Sequence, residues 1–251
     1  WLISATGNEG SVFLTNGISF VFVIAGLFVA RTRFKVQNDA KQKGNLHSEF
    51  REGVSYIRNN TAVLSVILMA ALIGFFGIPL IQQIPAVARD VLKTAVDTEM
   101  MVATRTSNLY AAQGVGALTA AFLAAYLAST DKQKMLAIGQ ASFVIPIIAL
   151  GFVRDVNLAL LLLVFIGWGT VTQLVSMNTM IQVDVPDRLR GRVFSVYFWA
   201  LQGVAPFGSI VIGWIAQTWS VPITIIVGGT TCLLGILGIH LGLRNVRKSS
   251  G

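Results

Sequence analysis

Apolar residues along the chain fall in seven runs of about twenty, and polar residues are confined to the intervals between them. The runs cover 11–30, 62–81, 107–128, 135–153, 158–181, 193–216 and 221–243, and none contains an Asp, Glu, Lys or Arg. About 20 apolar residues in a helix cross the hydrocarbon core of a bilayer. A charge at the centre of that core costs about 2.5–3.5 kcal/mol or more, which accounts for the exclusion of charge from the runs. The pattern predicts an all-α fold, a polytopic membrane helical bundle with seven spans. One interval has a period of its own. In 31–61, Phe50, Val54 and Ile57 recur at helical spacing with Arg51, Glu52 and Arg58 on other faces, which predicts a short amphipathic helix on the membrane surface. It divides the chain into 1–30 with one span, a linker at 31–60, and a six-span unit at 61–251.

Composition agrees with the pattern: 54% of the 251 residues are apolar and 12% charged, and mean hydropathy is +0.71. Soluble domains carry about 25% charged residues, so a soluble protein is excluded. Charge placement sets the orientation, because cytoplasmic connections collect Lys and Arg. One set of connections holds 15 of the 19 basic residues and the other holds only Arg89, Lys93, Arg105 and Arg154. The first set is therefore cytoplasmic, with the N-terminus of the chain outside and the C-terminus inside. The 11 acidic residues divide six to five, so the bias belongs to the basic residues alone. A net charge of +8 and a pI near 10.1 do not point to nucleic acid, because the charge is spread over four short segments beside apolar runs. Membrane lipid headgroups are the expected partners.

Two features suggest internal and external organisation. Residues 110–115 (YAAQGV) echo 199–204 (WALQGV), and Ile73-Gly74-Phe75 echoes Ile166-Gly167-Trp168, at offsets of 89 and 93 residues. The two triplets of spans so related run in opposite directions, as in an inverted-topology repeat; chance matching of Ala, Gly and Val is the rival reading. The chain opens at Trp1, and 1–7 read as the outer end of an earlier helix, so a longer protein is expected.

With no ionised group in the spans, amides and hydroxyls are the most polar groups available to a pathway. The run at 158–181 is richest, with Thr172, Gln173, Ser176 and Thr179 on one stripe and Trp168 between Gly167 and Gly169 near mid-membrane. Gln82, Gln113 and Gln202 add amides from three other spans. Polar groups at membrane depth face protein or water. The substrate-cavity candidates are Gln82, Gln113, Trp168, Thr172, Gln173, Ser176 and Gln202; helix-to-helix hydrogen bonding or bundle packing is the alternative for each. Between spans, 183–192 (VDVPDRLRGR) alternates Asp184 and Asp187 with Arg188, Arg190 and Arg192. It reads either as a basic anchor or as a set of gate ion pairs that holds one conformation closed. His47 and His240 lie far apart with no ligand spacing, Cys232 is alone, and no phosphate loop or nucleophile triad appears. No metal, cofactor or enzyme activity is expected.

The segment 185–195 (VPDRLRGRVFS), followed by Gly203, Pro206 and Gly208, resembles the connection between helices ten and eleven of the major facilitator superfamily, in its branch of bacterial drug and siderophore exporters that includes enterobactin and macrolide efflux pumps. Thr6-Gly7 with 13–20 is similar to the start of helix six, and 52–60 with 85–92 to the flanks of helix seven. The resemblance covers essentially the whole chain. It implies helices six to twelve of twelve, a small-molecule substrate, a missing N-terminal half as partner, two halves rocking about a central cavity, and a bacterial inner membrane location. In that fold helices seven, eight, ten and eleven line the cavity, which implies lining positions for Gln82, Gln113, Trp168, Gln173 and Gln202. The family's motif between helices eight and nine is reduced here to Asp131, Lys132 and Lys134. A seven-helix receptor is the rival architecture, but a retinal protein needs a lysine in its last span, and 221–243 has none. A non-transporting partner subunit is the remaining alternative.

Overall fold

A chain crossing hydrocarbon must satisfy its backbone amides internally, so each apolar run folds as a helix. The structure is a computed structural model that describes residues 10–29, 46–94, 96–126 and 131–249. The chain divides into two units, Trp1–Gly44 and Asn45–Gly251. The first contains helix α1 (Gly10–Val29). The second contains α2 (Leu46–Asn59), α3 (Thr61–Val91), α4 (Glu99–Tyr126), α5 (Lys132–Leu150), α6 (Val156–Asp184), α7 (Asp187–Thr218) and α8 (Val221–Ser249). No strand occurs among the described residues. The first half of the predicted linker, Thr6-Gly7 and Ser129-Thr130 lie outside the described residues.

Each predicted run is matched by a helix, but several ends move. Helix α3 contains a π-helical turn at Ile73–Gly77 and continues ten residues past 81, across a break at Gln82-Gln83 and through a second π turn at Val87–Val91. The predicted connection 183–192 shrinks to Val185 and Pro186, because Asp187 already begins α7. Asn60, Asp131 and Asp155 cap α3, α5 and α6, their side-chain oxygens accepting from main-chain N–H groups of the first turn. Asp131 is thus committed to starting α5. Five helices among the described residues are long and apolar enough to cross a membrane: α3, α5, α6, α7 and Val221–Gly242 of α8. In α1 the described apolar stretch is Phe13–Gly26. Helix α4 is 28 residues long but carries Thr104, Arg105, Thr106 and Asn108 in its first half.

Within the second unit, two crossings bring backbone against backbone. A Cβ at Gly74 of α3 would collide with the carbonyl oxygens of Ala200 and Leu201 in α7, and one at Gly208 of α7 with the Phe75 carbonyl. Pro79 explains why that carbonyl is open. It has no N–H to bond the oxygen four residues earlier, so the α7 backbone can approach it. The second crossing has the same design: a Cβ at Gly167 of α6 would strike the Gln113 carbonyl of α4, and one at Gly116 of α4 the Val164 carbonyl of α6. Each crossing joins the first helix of one predicted repeat to the second helix of the other, and Gly74 and Gly167 are the residues the sequence echo aligns. A third crossing seats α5 on α6. A Cβ at Gly139 would lie 2.8 Å from the Gln173 nitrogen, and one at Gly169 2.6 Å from the Phe143 nitrogen. Lipid tails offer helices no hydrophobic reason to associate, so close van der Waals fit through small residues must supply it.

Two apolar cores fill the bundle. One gathers Leu80, Ile84, Phe143, Ile147, Leu163 and Ile225. The other, nearer α2, gathers Ile57, Met69, Leu136, Met177, Leu189 and Tyr197. Large apolar side chains such as Phe122, Phe207, Ile210 and Leu234 are exposed, as a lipid-facing surface requires.

The crossings make a direct prediction. Gly167→Ala places a methyl against the Gln113 carbonyl and should destabilise the folded bundle by about 1–3 kcal/mol, read as a lower melting temperature in detergent. Gly213→Ala, where a Cβ meets nothing within 4 Å, should leave it unchanged. Equal effects of the two substitutions would contradict the proposed seam.

Candidate functional site

Trp168 stands between two glycines that face different helices. Gly167 seats α6 on α4 and Gly169 seats it on α5, so at this level α6 is wedged between both. Below the wedge, the α6 stripe of Trp168, Thr172, Val175, Ser176 and Thr179 lines a cavity of about 290 Å³. The opposing walls are Ala120, Leu123 and Ala124 of α4 and Lys132 and Met135 of α5. Most of this lining is apolar. The hydroxyl protons of Ser176 and Thr179 are given to carbonyls one turn back, to Thr172 O at 2.7 Å and Val175 O at 2.8 Å. Toward a ligand those two oxygens present lone pairs. The arrangement suits an amphiphile: an apolar body against Trp168, Leu123 and Val175, with donors directed at the α6 hydroxyls.

Three of the seven cavity candidates, Trp168, Thr172 and Ser176, are brought together in this space; the other four are not. Gln173 is 0% exposed, and neither its amide oxygen nor its nitrogen has a hydrogen-bond partner among the described residues. It lies behind the stripe, where Gly139 of α5 presses on its main chain. Gln82 is exposed at the α3 break and accepts from Ser209 Oγ of α7 at 3.2 Å. Gln113 is half-buried and Gln202 exposed, at equivalent places in the two crossings.

The Arg-rich turn between α6 and α7 is organised largely by a residue outside it. Glu52, on α2, receives Arg188 Nη2 on Oε1 at 2.6 Å and Arg192 Nη1 on Oε2. Tyr56, one turn further along α2, donates its hydroxyl to the Asp184 carbonyl at 2.9 Å. Gly53 between them lets the Arg192 side chain approach, a Cβ there lying 3.1 Å from Arg192 Cβ. Amphipathic α2 therefore packs Gly53 and buried Ile57 on protein, and Phe50 is exposed. Arg190 serves the turn itself, pairing with Asp187 at 2.6 Å and donating to the Gln182 carbonyl at 2.9 Å at the end of α6. Among the described residues, the Asp184 carboxylate has no cationic partner. Sequence reasoning named the arginines but missed Glu52 and Tyr56, whose i, i+4 spacing around a glycine was the available signal. It also missed the pairing of His240 with Gln140.

At the other end, Arg105 of α4 grips Asp97 through both carboxylate oxygens at 2.8 and 2.9 Å and also donates to the Ala88 carbonyl, tying α4 to the end of α3. The Asp97 side chain is 1% exposed. Hydrogen bonds from Arg105, then from Thr94, hold its carboxyl far below the ordinary value of 3.8. No group of three or more His, Cys, Asp or Glu among the described residues is placed to hold a metal ion.

Five helices long and apolar enough to cross a membrane describe a multi-pass membrane protein. Residues 1–250 match the family described as transmembrane secretion effector, and the chain belongs to that family, within the major facilitator superfamily. No curated protein matches the chain.

Two outcomes follow from the ion pairs. Because Asp97 is depressed in the folded protein, its contribution is present above pH 3.8 and is lost as pH falls through its depressed folded value. Melting temperature should fall in strong acid, and Asp97→Asn should lower it at neutral pH and flatten the acid loss; a variant with the parent's pH profile would refute the assignment. For α2, the exposed Arg188 pair and the half-buried Arg192 pair together amount to about 1 kcal/mol or slightly more. Glu52→Gln should therefore raise amide exchange in 50–59 roughly five- to tenfold relative to α6. Unchanged exchange there would mean that Ile57 packing alone holds the helix.

Proposed function

We propose that the chain exports amphiphilic small molecules, of the drug or siderophore kind, by alternating access across a bacterial inner membrane. The observation that carries this reading is the cavity beneath Trp168, mostly apolar, with the α6 hydroxyls and Lys132 of α5 as its polar lining. In it, α3 to α8 act as one six-helix half (61–251), α1 as the last helix of the other half (1–30), and 31–60 as the linker between them, making helices six to twelve of twelve. Gln82, Gln113 and Gln202 complete the wall on the side of the other half, since amides on membrane-length helices face protein or water. Gln173 backs the α6 stripe. The Arg-rich end lies in the cytoplasm, where Glu52, Asp184, Asp187, Arg188, Arg190 and Arg192 form the gate. Ion pairs this exposed are individually weak, so they close an end without locking it. Secondary gradients supply the energy; no chemical step on the substrate is involved.

The test is export of a fluorescent amphiphile from cells making the full-length protein. Trp168→Ala removes the largest apolar wall of the cavity, and an aromatic contact of about 1–1.5 kcal/mol corresponds to a roughly tenfold lower export rate at unchanged membrane abundance. Parent-level export by that variant would remove the cavity from the pathway.

A further inference from the structure

Helix α5 sends its first charges to two different cavities. Asp131, Gln133 and Lys134 line one of about 340 Å³ among α3, α5, α6 and α8. There the Asp131 carboxylate accepts from the main-chain N–H groups of Gln133 and Lys134 and lies 4.0 Å from the Lys134 ammonium, so the two charges offset each other. Lys132 turns instead to the Trp168 cavity, together with Met135. Among the described residues no carboxylate lines that cavity, and Lys132 is the one ionised side chain in its wall.

The lining is ordered along its length. Trp168 and Thr179 are about 16 Å apart along the α6 axis, at 1.5 Å per residue. Gly139 of α5 bears on Gln173 and Phe143 on Gly169, so α5 and α6 run antiparallel. Lys132, which begins α5, therefore stands at the end of the cavity marked by Val183, and Trp168 stands at the other. Between them lie the hydroxyls of Ser176 and Thr179, which give their protons to α6 and face a ligand as acceptors. The Lys132 ammonium is the opposite: half-buried, positive and a donor only. Lys132 already has an interaction within the protein, and three ammonium N–H groups leave others for a ligand. Asp184 follows Val183 at the same end but is exposed and outside the lining, where water and salt screen it.

We propose that the Trp168 cavity selects amphiphiles that carry an acidic end group, and that Lys132 makes the selection. The molecule that fits has three zones in order. An aromatic or alkyl body lies against Trp168 and Leu123, an N–H or O–H group meets the α6 hydroxyl oxygens, and a carboxylate meets the Lys132 ammonium in a charge-assisted hydrogen bond. A cationic end group is repelled and finds no counter-charge in the wall. A neutral one fills the same space with a weaker bond. Apolar walls lower the local dielectric, so a single ammonium discriminates more strongly here than on an open surface. The selection rests on the transporter reading for its cargo, but binding preference and export are separate measurements.

The test titrates the full-length protein in phosphatidylcholine nanodiscs with three fluorescent probes. They share one aromatic body and a mid-chain amide N–H, and end in a carboxylate, a carboxamide or a primary ammonium. The carboxylate probe should bind about five- to tenfold more tightly than the carboxamide, with the ammonium probe weakest. Lys132→Gln should erase the difference between carboxylate and carboxamide while carboxamide affinity stays at the parent's value, and Lys132→Arg should keep the preference. Trp168→Ala should weaken all three probes alike. Equal affinities in the parent would overturn the selection whether or not any variant folds, and a preference that survives Lys132→Gln would overturn the assignment to Lys132. Export of the carboxylate probe from cells is the separate arm: a parent that prefers the acid and exports none of it keeps the selection and removes the transporter reading.

Discussion

Everything in the second unit depends on helices meeting backbone to backbone. In hydrocarbon the usual driving force for burying apolar faces is absent, and association must come from close fit and weak polar contacts between main chains. The chain meets that constraint with glycines placed opposite carbonyls. Gly74 and Gly208 join α3 to α7, Gly116 and Gly167 join α4 to α6, and Gly139 and Gly169 join α5 to α6. Proline contributes from the other side of the contact, since Pro79 frees the Phe75 oxygen and Pro146 leaves Ser142 without its helical donor where Gly169 packs. The π-helical turns at Ile73–Gly77 and Trp199–Gly203 sit at one of these crossings, and they re-aim α3 and α7 as they pass.

From those crossings the cavity follows. Gly167 and Gly169 fix α6 against two neighbours at one height, and the residue between them is Trp168. The hydroxyl stripe continues down the same face at helical spacing, so the site's chemistry is set by the register of α6 alone. Its polarity is modest because Ser176 and Thr179 spend their protons on α6 itself. A buried amide fares worse. Gln173 has lost water and has no hydrogen-bond partner among the described residues, a state that costs about 1–3 kcal/mol.

Much of this was legible in the sequence, and the illegible part has a common cause. Helix number and place could be read because hydrocarbon excludes charge, a rule applied residue by residue. The repeat could be read because the same crossing is built twice, around Gly74 and Gly167. Periodicity placed Trp168, Thr172 and Ser176 on one face, but it reports direction relative to a helix's own axis and not which neighbour stands there. Gln173, one residue along, therefore looked like a cavity residue. Glu52 and Arg192 are 140 residues apart, and Gln140 and His240 100, so no local pattern links them. Helix ends were misjudged where a proline-tolerant π turn carried α3 on to Val91 and where Asp187 began α7 early.

Glycine crossings also limit how such a bundle can change shape. Sliding one helix past another by a single residue would bring a Cβ to the place of a glycine hydrogen, against an unyielding carbonyl. The three crossings therefore hold α3, α4, α5, α6 and α7 in fixed register, and sliding within those seams is opposed at every step. Freedom is left where contacts are made by side chains: at the Gln82-Gln83 break, at the Glu52 ion pairs, and along α8, whose Gly235 meets only the Leu72 side chain and whose Gly238 and Gly242 meet nothing within 4 Å. Helix α8 meets α5 mainly through side chains, with one close main-chain approach where a Cβ at Gly151, just past α5, would lie 3.1 Å from the Pro222 carbonyl oxygen. The contact between His240 Nε2 and Gln140 Oε1, at 3.0 Å, ties it to the middle of α5 as well.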